Sequence, residues 1–318
     1  MLKKYTGCLL GLAVGDALGA AVEFLKLGQI KEKYGASGIK DFDSWRGFKA
    51  GSYTDDTQMS IATAEGLIKS AKEWKKEGTL EPTPFIYKEY LRWLKSQDNP
   101  SEIRAPGNTC LSSLRSGEIG SMKKPLNNSK GCGGVMRVAP VGLAFERDVA
   151  FYEGVNAAAL THGHPSGYLS AGFLAELISY IIEERDLRES VKAARETLVL
   201  YPSHEETLAK VDEALRLVEE KLAVKDSIYK IGEGWIGEEA LAISLFCSLK
   251  FADNFSLGVQ AAVNHSGDSD STGSITGSIL GAKLGEEAIP KQWTAELENA
   301  EYVQDLGEEM FRIFKEHT

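Results

Sequence analysis

The chain has 318 residues, is 43% hydrophobic and carries a formal charge of −10, enough apolar material for a large buried core. The acidic balance argues against a broad nucleic-acid surface or an anionic-membrane surface, because both reward basic patches. Four scattered cysteines, Cys8, Cys110, Cys132 and Cys247, show no CxxC spacing and read as reduced thiols of a cytoplasmic protein.

Helical periodicity dominates from the first residues onward. Apolar residues recur at three- and four-residue spacing over Leu2 to Phe24, Thr57 to Ala71, Pro84 to Lys95, Val149 to Thr161 and Ser166 to Glu184. The same spacing continues over Leu187 to Leu198, His204 to Leu222, Glu238 to Phe251, Phe255 to Asn264 and Ala295 to His317. Lys3 and Lys4 ahead of an apolar run resemble a leader, but Asp16 interrupts that run and Glu23 follows it, so the segment reads as a helix. No run approaches the ~18 apolar residues of a membrane span. The polar stretch from Lys69 to Pro84 reads as a helix end and a loop. The expectation is an all-α protein with a single domain over residues 1–318.

Two segments carry glycine every fourth residue: Gly7, Gly11, Gly15 and Gly19, then Gly273, Gly277, Gly281 and Gly285. An interior glycine costs a helix about 1 kcal/mol relative to alanine, so two such ladders need a compensating gain. Residues four apart share a helix face, and a glycine stripe lets another backbone approach closely. Both helices are therefore expected deep in the core, drawing their neighbouring loops together.

Those loops are acidic. Thr54-Asp55-Asp56 precedes one helix, and Asp268-Ser269-Asp270-Ser271 precedes the second glycine helix. One or two acids would serve as N-caps; four carboxylates with hydroxyls exceed that need. They are hard oxygen donors suited to Mg²⁺, Mn²⁺ or Ca²⁺, and no His or Cys cluster points to zinc. An EF-hand fails at Ile279, where a bidentate Glu belongs. Converging carboxylates without cations would repel and raise one another's pKa.

The motifs taken together resemble the ADP-ribosylglycohydrolase family. They are Gly7 to Gly19, Tyr53-Thr54-Asp55-Asp56-Thr57-Gln58-Met59, Gly131 to Pro140, Thr161-His162-Gly163-His164-Pro165, Gly237-Glu238-Glu239-Ala240-Leu241 and Gly267-Asp268-Ser269-Asp270-Ser271. The resemblance implies a compact orthogonal multi-helix bundle binding two divalent cations, Mg²⁺ or Mn²⁺. Thr54, Asp55, Asp56, Asp268, Asp270 and Ser271 would be the ligands, with Ser271 standing where many relatives carry Thr. It further implies catalytic roles for Glu23, Asp55 and Asp270. The ligand cleft would be lined by Gly131, Gly133, Gly134, Val135, Met136 and His162.

Trp235 and Tyr53 are candidates to stack on adenine or ribose, with core packing as the alternative. No role is assigned to His164, His204, His265 or His317. Arg104-Ala105-Pro106-Gly107 departs from relatives that carry an aspartate just before the glycine, which puts arginine-linked substrates in doubt. The implied reaction is metal-dependent cleavage of the glycosidic bond between ADP-ribose and a modified acceptor, an ADP-ribosylated protein or a small molecule. The alternatives are a non-catalytic, crystallin-like ADP-ribose binder and a Mg²⁺-dependent phosphohydrolase acting on the diphosphate. Acceptor, choice of metal and oligomeric state are left open.

Overall fold

The computed structural model describes residues 1–77 and 81–316. Among these residues there are sixteen α-helices, three short 3₁₀ turns and no strand, with two isolated β-bridges, so the all-α expectation holds. No helix among the described residues is long and apolar enough to cross a membrane.

The helices that matter most for the site are α1 (Leu2–Gly19) and α14 (Ser269–Leu284). Nearly every residue of both is buried, with no polar face on either, as expected for central helices. Their glycine stripes face each other. A Cβ on Gly11 would lie 2.3 Å from Gly277 O, and one on Gly15 would lie 2.0 Å from Gly273 O. The ladder continues at both ends, where Gly7 meets Gly281 O and Gly19 meets Ser269 O. The two backbones are thus in contact, a spacing that any side chain there would forbid.

Around this pair lie α3 (Asp55–Glu77), α12 (Gly237–Lys250), α13 (Phe255–Val263) and α16 (Ala300–Phe314). A second nearly all-buried helix, α8 (Pro165–Ile182), packs against α7 (Arg147–Ala159) and α12. One continuous apolar core runs through these elements.

Several boundaries differ from the periodicity reading. The first helix stops at Gly19, and residues 20–24 form turns before a short α2 (Leu27–Tyr34). The segment expected as one helix from Ala295 to His317 is two, α15 (Lys291–Glu296) and α16. Between them Asn299 takes a left-handed φ of 52°, which no helix interior accommodates; His317 lies outside the described residues. Three further short helices, α5 (Asn108–Arg115), α6 (Ala139–Ala144) and α11 (Val224–Ile231), had no clear periodic signal.

Candidate functional site

The N-terminal ends of α3 and α14 open into one cleft of about 320 Å³. Glu23, Asp55, Asp56, Asp268, Asp270 and Ser271 line it together with Gly131, Gly133, Met136 and His162. The two acidic loops therefore meet, as the paired glycine ladders require. All five acids are at least nine-tenths buried. Asp55 and Asp56 in the first turn of α3, and Asp268 and Asp270 at the start of α14, lie where the helix dipole favours negative charge.

Asp16, read from the sequence only as a break in an apolar run, builds one side of this arrangement. Fully buried on α1, it accepts the Thr54 and Thr57 amides at 2.9 Å and the Thr57 hydroxyl at 2.6 Å. It thereby ties the start of α3 to the glycine helix. Burial pushes its pKa up to about 6, against the lowering effect of those hydrogen bonds. On the other side, Asp268 caps α14 through the Ser271 amide at 3.3 Å and accepts the Cys132 thiol at 2.7 Å.

Three oxygens in the cleft lack a protein hydrogen-bond partner: Glu23 Oε2, Asp56 Oδ2 and Asp270 Oδ1. Burial, followed by the charges of Asp268 and Asp55, pushes Glu23 up to about 9. Burial first and neighbouring carboxylates second raise Asp55, Asp56 and Asp270 well above the ordinary range. Bare buried carboxylate oxygens are costly unless a proton or a cation satisfies them. The hard-oxygen donor set therefore fits divalent cations. Among the described residues, no three His, Cys, Asp or Glu side chains close into a ready cage. The two oxygens of Asp268 are turned to the Cys132 thiol and the Ser271 amide.

Not every expected residue reaches the cleft wall. Thr54 is fully buried, and its hydroxyl accepts the Asp56 amide at 3.2 Å. Gly134 packs where a Cβ would stand 2.8 Å from Gly167 O, and Val135 is a core residue; neither lines the cleft. Tyr53 is buried away from it, with its hydroxyl accepting Asn299 Nδ2. Trp235 does line it, stacked on exposed Phe24 at 5.6 Å between ring centroids.

The Gly-rich turn is held by backbone pairing. Cys132 N donates to Trp235 O and Gly237 N donates to Lys130 O. The Gly237–Leu241 motif serves this wall: Glu238 pairs with Lys130, while Glu239 accepts the Glu233 and Gly234 amides. His164, left without a role, caps α8 by accepting the Ser166 amide. The loop at 104–109 forms the rest of the wall. Its Gly107 amide donates to Asp55 at 3.4 Å, and Arg104 anchors it by a bidentate pair with Glu298.

The model of the family described as ADP-ribosylglycohydrolase matches residues 1–318. The chain belongs to the ADP-ribosylglycohydrolase family. It is 32% identical over 297 residues to the ADP-ribosyl-[dinitrogen reductase] glycohydrolase of Rhodospirillum rubrum, covering 92% of this chain and 89% of that one. It is 27% identical to the ADP-ribosylarginine hydrolase Tri1 of Serratia proteamaculans, over 99% of this chain and 81% of the other. A solved structure titled an ADP-ribosylglycohydrolase-related protein complex superposes with a TM-score of 0.74 at 27% identity, covering 98% of both chains. Within the ADP-ribosylglycohydrolase fold, the cleft lies where two helix starts meet above the paired glycine helices.

Proposed function

We propose that this ADP-ribosylglycohydrolase family member is a metal-dependent hydrolase that cleaves the glycosidic bond between ADP-ribose and a modified acceptor. The observation that carries this reading is the meeting of two acidic helix starts in one cleft, with buried carboxylate oxygens left bare. Asp55, Asp56, Asp268, Asp270 and Ser271 would hold two Mg²⁺ or Mn²⁺ ions, while Thr54, off the cleft wall, supports the Asp56 amide. When bound, such ions supply Lewis-acid polarisation of oxygen and orient vicinal hydroxyls.

The residues of the chain do the rest. Cleavage at the anomeric carbon passes through an oxocarbenium-like state, with water taking the place of the acceptor. Glu23 faces the cleft with a bare Oε2. Burial and the neighbouring carboxylates raise its pKa, so its ionised form, which cations bound among those carboxylates would favour, orients that water, takes its proton and returns it to the departing acceptor. The Gly131–Gly133 turn presents backbone to the ligand, and its missing side chains leave room for a close approach. Phe24 and Trp235 form an aromatic rim suited to a flat ring.

Ala105, Pro106 and Gly107 line the cleft beside Asp55, none of them carries a charge, and we assign them to the acceptor side. That wall favours an acceptor other than a guanidinium. The experiment is release of free ADP-ribose from serine- and arginine-linked ADP-ribosyl peptides with Mg²⁺, Mn²⁺ or EDTA, using wild type and Asp270→Ala. Cation-dependent release that the variant loses supports the reading. Binding of ADP-ribose with no release would instead mean a silent binder, and AMP with ribose phosphate as products would mean diphosphate hydrolysis.

A further inference from the structure

Arg137 is the largest fully buried side chain among the described residues. An interior guanidinium ordinarily meets a carboxylate, yet no such partner faces this one among the described residues. Its Nη1 donates to Met59 Sδ and Cys110 Sγ, each at 3.4 Å, and its Nη2 to Ala157 O at 3.3 Å and Thr161 Oγ1 at 2.7 Å. Its flat face lies 4.3 Å over the Tyr90 ring, a favourable site for a cation. The charge sits beneath the floor of the cleft, one residue after Met136 in its wall.

Arginine can only donate, so Thr161 Oγ1 accepts from it and must place its own proton elsewhere. Two acceptors are in range. Ala158 O is 3.5 Å away and already receives the Thr161 and His162 amides at 3.1 and 3.0 Å. His162 Nδ1 is 2.9 Å away. The hydroxyl proton therefore goes to Nδ1, and an imidazole whose Nδ1 accepts carries its own proton on Nε2. The ring is 1% exposed, and burial together with the charge of Arg137 pushes its pKa down to about 3. Its Nε2 edge lies against the Gly-rich turn, where a Cβ on Gly133 would stand 3.3 Å from it.

We propose that Arg137 is a positioning residue that acts through Thr161 to hold His162 as the neutral Nε2–H tautomer, making His162 an obligatory uncharged donor to an acceptor atom of the ligand. The identity of that ligand as ADP-ribose rests on the function proposed above. The arrangement answers a specific difficulty of this cleft. An imidazolium would be drawn to the five acids, and the opposite tautomer would aim a lone pair at an electron-rich oxygen. Accepting from a guanidinium also polarises the Thr161 hydroxyl, which strengthens each later bond in the chain.

The test is long-range ¹⁵N correlation spectroscopy of the full chain labelled at histidine, with His162→Gln to assign the signal. The expected result is a neutral Nε2–H ring between about pH 5 and 8, whose Nε2 resonance moves on saturation with ADP-ribose. Thr161→Ser should keep this tautomer. Thr161→Val should mix the tautomers and weaken ADP-ribose binding roughly 3–10-fold, the worth of one neutral hydrogen bond. A wild-type Nδ1–H tautomer, or a ring that titrates in that window, would overturn the proposal without need of any variant. An Nε2 resonance unmoved by bound ADP-ribose would overturn the donor role. Failure of the wild type to bind ADP-ribose at all would instead overturn the proposed function, since the tautomer is read on the free protein.

Discussion

One oxygen of Asp16, Oδ2, accepts both the amide and the hydroxyl of Thr57, at 2.9 and 2.6 Å. A carboxylate inside the central helix therefore sets the position of the acidic helix start beside it. Asp16→Asn would present an NH₂ group to one of these donors or to the Thr54 amide, leaving a buried N–H facing a donor. The expected loss is roughly 2–3 kcal/mol of stability, with weaker Mg²⁺ binding. Urea unfolding and Mg²⁺ calorimetry read the two effects, and an Asn variant matching wild type in both would refute the bracing role.

Gly277→Ala opposes two terms. Alanine favours an isolated helix by about 1 kcal/mol, but here its Cβ would stand 1.9 Å from Gly11 O. A backbone oxygen cannot rotate aside, so the helices must separate, at a cost of roughly 1–3 kcal/mol. The denaturation midpoint should fall; a rise would mean that the two helices part without penalty.

Glu23→Gln keeps the size of the side chain and removes its ability to take a proton. Turnover of ADP-ribosyl substrate should drop by about 10²–10⁴-fold, while Mg²⁺ and ADP-ribose affinities change little. Full turnover in the variant would reassign Glu23 to a structural role.

Glu176 offers a pH test away from the cleft. It is fully buried on α8, accepts the Thr197 hydroxyl at 2.7 Å and leaves Oε2 bare. Burial raises it from 4.5 to about 7. Between those values the folded state binds more protons than the unfolded state, so stability falls as pH rises and the penalty is complete above pH 7. Glu176→Gln should equal wild type near pH 4 and exceed it at pH 8 by roughly 2–4 kcal/mol. Stability curves that stay parallel across this range would rule out a buried proton at this position.

Cation binding should show in the melting temperature. A ligand that binds only the folded state stabilises it by about 2.7 kcal/mol at a hundredfold excess over Kd. Mg²⁺ or Mn²⁺ should raise Tm after EDTA treatment at pH 8, and Asp270→Ala should abolish the rise. A thermal scan indifferent to both ions would count against the cation site.

Much of this was legible in the sequence, and the exceptions have physical causes. Long helices such as Leu187–Leu198 announce themselves by apolar spacing. Short helices such as Asn108–Arg115 and Ala139–Ala144 have only eight and six residues, too few for a period to emerge. The glycine ladders pointed to two buried helices with closely approached backbones, because four-residue spacing survives folding as a face; that they pair with each other is seen only in the structure. Asp16 and Arg137 stayed hidden because a lone charge within an apolar run carries no spacing of its own. Their partners, Thr57 and Thr161, are far away or ambiguous in the sequence and are recognised only through geometry. Gly134 and Val135 belonged to a motif that lines the cleft at Gly131 to Gly133 and Met136 but turns into the core between them, which composition does not disclose.

The pairing of α1 with α14 also bears on how the protein is made. The two halves of the cleft come from distant parts of the sequence, Asp16 and Asp55 early and Asp268 to Ser271 late. Contacts so remote in sequence close slowly. A ribosome-bound chain therefore carries its first glycine helix with a bare stripe, and no complete acidic cleft, until α14 has emerged. The cleft is thus completed only late in synthesis, and a translation product ending before Asp268 lacks Asp268, Asp270 and Ser271 of its wall.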